Sequence, residues 1–249
     1  MSSLRHQRYL SNNPLAVNVV LVHGWGMNSE VWLPLLPYLQ DDFHVTVIDG
    51  FEEDITAYLA IAPELFARQG DPGSYGEVAK LMAEVVSKVP DAQVMGDLDG
   101  AVKWAGENGG NLKKVGITGF CWGGRITWLY ASQSQNVKAG VAWYGRLVGT
   151  ASALTPKHPV DLAASIKAPV LGLYGGQDGG IPLTTVNQMK DALAEGAAKG
   201  NKAAKASEFV VYPQAPHAFH ADYRPSFRKD AAEDGFKRAL EWFKGHGVS

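Results

Sequence analysis

The chain has 249 residues, 46% of them hydrophobic and 19% charged, with a formal net charge of -2. That composition supports the core of one large α/β domain and excludes a disordered chain. The lysines are scattered and no basic stripe forms, which excludes nucleic acid and anionic membrane surfaces as expected partners.

The first 16 residues lack the apolar run of a signal peptide, and no apolar run approaches the length of a membrane span. One cysteine, Cys121, cannot form an internal disulfide. A cytoplasmic location is the expectation. No His-x-x-x-His or Cys-x-x-Cys pair occurs, so no metal is expected.

Short β-branched runs alternate with helical patterns along the chain. Residues 18–22 read as a buried strand ending at His23-Gly24-Trp25-Gly26. Residues 45–48 read as a second strand, and residues 58–62, stopped by Pro63, as a third. Helical spacing follows over 75–88 and 97–108, the latter stopped by Gly109-Gly110. Strands are expected at 115–118, 139–144, 170–174 and 208–212, and helices at 125–134, 184–195 and 231–244. The Ala- and Lys-rich stretch 194–206 reads as a frayed helix end and a surface loop. Continuous apolar strands separated by helices predict a mostly parallel central sheet with helices on both faces. The strand ending at Asp49 and the one starting at Tyr58 are only about eight residues apart. A parallel crossover needs roughly ten to twelve or more. The two therefore form a hairpin, or one lies outside the sheet.

Gly119-Phe120-Cys121-Trp122-Gly123-Gly124 follows a strand and precedes a helix. This is the glycine-flanked elbow that lifts a nucleophile above the C-terminal edge of a sheet, here with cysteine as the nucleophile. The helix that follows points its N–H groups and dipole at the sulfur, which favours a thiolate. A nucleophile needs a base, and the base an orienting acid; in this fold class the chain order is nucleophile, acid, histidine. Asp178, just after the strand at 170–174, and His217, just after the strand at 208–212, supply them at C-terminal strand ends. His220 is the competitor for the base.

From about residue 52 onward the chain resembles the dienelactone hydrolase (carboxymethylenebutenolidase) family of α/β-hydrolases. The matching stretches are Tyr58 to Phe66, Arg68-Gln69-Gly70, Lys88 to Ala92, Gly119 to Arg125, Trp143 to Leu147, Tyr174 to Pro182 and His217-Ala218-Phe219. The resemblance implies a Cys121-His217-Asp178 triad that opens small lactones or esters without a cofactor. It also implies that Arg68 pairs with a substrate carboxylate. The family's second carboxylate-binding arginine has no match at Ala221, and Arg224 stands nearby. Residues 19–49, with Leu21-Val22-His23-Gly24-Trp25-Gly26-Met27-Asn28, resemble the pimeloyl-ACP methyl ester esterase type instead. There the His-Gly loop gives an oxyanion-hole N–H, so the N–H groups of Trp25 and Trp122 are the candidates here. The family usually carries a glutamate at the position of Gly24 that contacts the resting cysteine. Without it, Cys121 is expected to pair directly with His217.

The expectation is one α/β-hydrolase domain over residues 1–249, with a composite seam near 50–57. It would act on a small ester or lactone through an acyl-thioester, as a monomer or weak homodimer. Trp122, Tyr144 and Trp25 suggest an apolar pocket, with Tyr144 as a substrate contact. The alternatives are a general carboxylesterase or thioesterase, and a catalytically impaired binding protein of the same fold.

Overall fold

The computed structural model describes residues 17–22, 58–70, 74, 75 and 77–248. The apolar runs become strands because β-branched side chains pack well on a pleated surface, and their lack of alternation fits burial on both faces. The described strands are β1 Val17–Val22, β2 Tyr58–Ile61, β3 Val115–Phe120, β4 Val137–Trp143, β5 Val170–Gly175 and β6 Glu208–Tyr212. They form one sheet in the order β2-β1-β3-β4-β5-β6, with every neighbouring pair parallel. β5 is buried at every position, so layers cover it on both sides.

The chain runs outward from β1 to β2 and then returns across β1 to β3. That reversal makes the C-terminal ends of β1 and β3 a topological switch point, the kind of place where open α/β sheets bind ligands. Of the two crowded strands, Tyr58–Ile61 joins the sheet, pairing with β1 in the register Val17 to Tyr58. The stretch 45–49 and the seam at 50–57 lie outside the described residues.

The helices are α1 Val78–Glu84, α2 Asp91–Glu107, α3 Trp122–Gln133, α4 Pro159–Leu162, α5 Leu183–Ala198, α6 Lys202–Ala206 and α7 Lys229–Gly245. α3 packs against β3 and β4, and α7 against β4 and β5. Trp128 from α3 and Trp143 from β4 are among the largest fully buried side chains of the core, with Tyr130, Tyr174 and Phe219.

Two expectations need correction. α2 starts at Asp91, directly after Pro90, and not at Asp97. Gly96 and Gly100 dilute the apolar pattern of its first turns, whereas a proline before the first turn and an aspartate in it are good helix starters. The 194–206 stretch is mostly helical. α5 runs on to Ala198, and α6 begins after Asn201, whose side chain accepts from the Ala204 N–H at 3.0 Å. Alanine and lysine propagate helix well once a cap supplies the start.

Candidate active site

β3 ends at Phe120 and α3 begins at Trp122, so Cys121 alone makes the turn between them. Its backbone sits at φ 55, ψ -113, a conformation that disfavours side chains. The turn is tight enough that a Cβ on Gly119 would lie 2.4 Å from the Gly123 carbonyl oxygen, so only glycine fits there. The Cys121 N–H donates to the Trp143 carbonyl at 2.9 Å, and its own carbonyl accepts from the Arg125 N–H at 3.2 Å. These bonds hold the sulfur at the N-terminus of a 12-residue helix. Trp122 is the first helical residue, and its N–H has no partner within the helix.

Asp178 lies three residues past β5. One carboxylate oxygen, Oδ1, accepts from the backbone N–H groups of Gly180 and Ile181 at 2.9 and 3.1 Å. The other, Oδ2, meets His217 Nδ1 at 2.6 Å. The Asp178 side chain is 1% exposed. An aspartate that caps its own turn in this way has one oxygen fixed and the other aimed. His217 follows β6 and turns Nε2 to within 3.1 Å of the Cys121 sulfur. Burial works to lower the imidazole, but hydrogen bonds and charges from Asp178 and Cys121 outweigh it and lift it from 6.5 to about 9. With Nδ1–H donated to Asp178, Nε2 can take the thiol proton and then hold the thiolate as an ion pair.

The two histidines that the sequence leaves in competition occupy different environments. His220 rests its ring on Trp143 and Phe120, with centroids 4.5 and 5.1 Å away. Burial pushes it down to about 4, against a small opposing pull from Asp222, so it is neutral at pH 7. Tyr144 is 3% exposed and sets its ring edge-on to His217, centroids 5.1 Å apart. Trp122 packs against Phe66 at 4.9 Å. Trp25 and Gly24 lie outside the described residues.

Arg68 donates through both terminal nitrogens to Asp97, at 2.7 Å each. Two of its five N–H donors are thereby taken and its charge is offset. Arg125, inside the elbow motif, pairs through both arms with Asp91 at 2.7 and 2.8 Å and also donates to the Lys157 carbonyl. It ties the start of α2 to α3 and does not point to chemistry. Sequence reasoning did not mark the backbone donors of Gly180 and Ile181, although the Asp-Gly-Gly step is a signal for such a turn. Nor did it mark Ala218, which adopts φ 58 beside His217. Among the described residues Cys121, Tyr144 and Ala218 are the non-glycine residues at positive φ, and all three border this site. Backbone strain concentrates where function demands it.

A parallel sheet whose third strand runs through the strained Cys121 corner into a helix, with Asp178 and His217 after later strands, is that of an α/β-hydrolase fold. The dienelactone hydrolase family model matches residues 55–247, and the chain belongs to that family. It is 60% identical over 193 residues to a "Putative carboxymethylenebutenolidase" of Methylorubrum extorquens, an alignment spanning 77% of this chain and 64% of that protein. It is 48% identical over 233 residues to a protein of the same description from Escherichia coli K12, spanning 92% of this chain and 83% of the other. Among solved structures it resembles a putative dienelactone hydrolase from Klebsiella pneumoniae, at 42% identity and a TM-score of 0.79, covering 98% of this chain and 99% of that one. Esterase 2 of Thermogutta terrifontis, at 16% identity and a TM-score of 0.63, shares the fold. Among the described residues no helix is long and apolar enough to cross a membrane.

Proposed function

We propose that the protein hydrolyses a small ester or lactone, of the dienelactone type, through Cys121, His217 and Asp178. The continuous path from sulfur to Nε2 at 3.1 Å, and from Nδ1 to carboxylate at 2.6 Å, carries this reading. His217 takes the Cys121 proton while Asp178 fixes the tautomer and stabilises the imidazolium. The thiolate attacks the carbonyl carbon. The Trp122 N–H, at the helix N-terminus, receives the developing oxyanion together with that of Trp25, a donor of this kind contributing about 2.7–4 kcal/mol. His217 returns its proton to the leaving oxygen, and an acyl-thioester remains.

Acylation then resets the histidine. Two of the causes that lift His217 are the hydrogen bond and charge of Cys121, and both vanish once the sulfur is acylated. The imidazole loses its proton more readily and becomes the base that activates water. Tyr144 and Trp122 line the substrate side of this centre in the same reading. Arg68 contacts a substrate carboxylate through its remaining N–H groups, with a pull weakened by Asp97.

The test is a burst experiment with p-nitrophenyl acetate, followed by mass spectrometry of the quenched protein. A burst with one acetyl group on Cys121 is expected, and Cys121→Ala should show neither burst nor turnover. Full activity in Cys121→Ala would overturn the scheme. Absence of both burst and adduct in the unmodified protein would favour a binding role.

A further inference from the structure

The Tyr144 hydroxyl is held differently from the other buried phenols. Tyr130 donates its phenol proton to Asp99 at 2.8 Å, Tyr174 to the Gly145 carbonyl at 3.0 Å, and Tyr212 to Asp234 at 2.9 Å. Tyr144 is just as deeply placed, at 3% exposure. Unlike those three, among the described residues its hydroxyl is matched with a backbone donor, not with a protein acceptor. The His220 backbone N–H approaches the phenol oxygen, which serves a lone pair and leaves the proton unspent. A hydroxyl whose proton is not committed to the protein is available to a ligand that enters the site.

The position of this donor is over-determined. The Cys121 N–H bonds to the carbonyl of Trp143, so Tyr144 is the next residue beyond the nucleophile's own anchor. Its φ of 38 is unfavourable for a tyrosine, and two features hold it there. The Tyr144 N–H donates to the Leu173 carbonyl at 2.8 Å, and Gly145 is pressed so close to α3 that a Cβ would lie 2.3 Å from the Gly124 backbone. The strained turn carries the ring over the sheet edge onto the flank of His217. The charges that the hydroxyl feels are those of Cys121, Tyr223 and Arg224. Burial, and after it the Cys121 charge, push the phenol well above its ordinary value, so it keeps its proton and acts only as a donor.

We propose that the Tyr144 hydroxyl donates a hydrogen bond to the leaving-group oxygen of the ester or lactone during acylation. His217 is the group that returns a proton to that oxygen, and the Tyr144 ring lies against its imidazole. The step balances simply. The sulfur–carbon bond forms, the carbon–oxygen bond breaks, the Nε2 proton passes to the departing oxygen, and Tyr144 keeps its own proton. The consequence is a preference: the site can expel basic oxygens, as in unactivated esters and lactones, that a thiolate displaces poorly without help. This inference rests on the reading of Cys121 as the nucleophile.

The test uses Tyr144→Phe, which keeps the ring and its packing. Single-turnover acylation rates are measured with acetate esters of phenols running from p-nitrophenol to phenol, so that the acyl group is constant. A hydrogen bond to a developing oxyanion predicts a loss of roughly tenfold or more on phenyl acetate and a several-fold smaller loss on p-nitrophenyl acetate. The variant's rates should therefore depend more steeply on leaving-group basicity. Equal losses across the series, or no loss, would overturn the proposal. The pH profile of Cys121 alkylation by iodoacetamide should stay in place; a shifted profile together with equal losses would make Tyr144 a support for His217 and also overturn it. Cys121→Ala run in parallel separates the two readings. Retained turnover there sinks the nucleophile assignment, whereas an inert Cys121→Ala with a parallel Tyr144→Phe series sinks this inference alone.

Discussion

Asp178→Asn isolates the electrostatic half of the site while leaving its shape intact. The Asp178 Oδ1 accepts from the Gly180 and Ile181 N–H groups, and the side chain is 1% exposed. In the asparagine variant the amide oxygen must take that place, because the amide nitrogen cannot accept. The NH2 group then faces His217 Nδ1 across the 2.6 Å contact. Two donors cannot face each other there, so Nδ1 becomes the acceptor and the ring proton moves to Nε2. That proton points at the sulfur, and Nε2 can no longer receive one. In a serine triad the corresponding change costs about 10⁴ in kcat, roughly 5.4 kcal/mol. A thiol is more acidic and more nucleophilic than a hydroxyl and depends less on its base. The expected loss is therefore about 10³-fold, near 4 kcal/mol. A second effect accompanies it. The Asp178 hydrogen bond and charge are among the causes that hold His217 near 9, so the imidazolium partner of the thiolate weakens. Initial rates with p-nitrophenyl acetate and the pH profile of iodoacetamide alkylation read the two effects separately, with far-UV circular dichroism to verify the fold. Turnover within about threefold of the parent, with an unmoved alkylation profile, would refute the reasoning, since about 10³ is the loss expected from the wrong tautomer.

The two site histidines predict opposite pH dependences of stability. His220 is held at about 4, below its ordinary 6.5, so its contribution is complete above pH 6.5 and is lost as pH falls toward 4. His220→Phe should remove that acid-side loss, worth on the order of 2–3 kcal/mol, in urea unfolding series at pH 7 and pH 4; an unchanged difference between the two pH values would contradict it. His217, raised to about 9, contributes fully below pH 6.5 and loses that contribution as pH rises through 9. Arg125→Met leaves Asp91 without its two-armed partner at a place where the paired side chains are 6% and 13% exposed. Unfolding free energy should fall by about 3–5 kcal/mol, and a loss under about 1 kcal/mol would show that the pair is not structural.

Much of the sheet and the core of the site was legible in the chain because the signals are local. A β-branched run makes a strand wherever layers cover it, and Gly119 before Cys121 marks a turn that no bulkier residue can make. The order of Cys121, Asp178 and His217 follows from strands that all end on one edge. Other features needed the folded chain because their causes lie far apart in sequence. His217 and His220 are three residues apart and read alike. The left-handed step at Ala218 separates them, sending one imidazole to Asp178 and the other onto Trp143 and Phe120. Arg68 reads as a free cation until Asp97, 29 residues on, is folded against it. Tyr144 reads as one aromatic among several. Only the packing of Gly145 on α3 and the bond to Leu173 set its ring against His217. Local periodicity and turn chemistry thus decided where Cys121 stands. Which groups surround it, and with what charge, was decided by long-range contacts that no window of sequence contains.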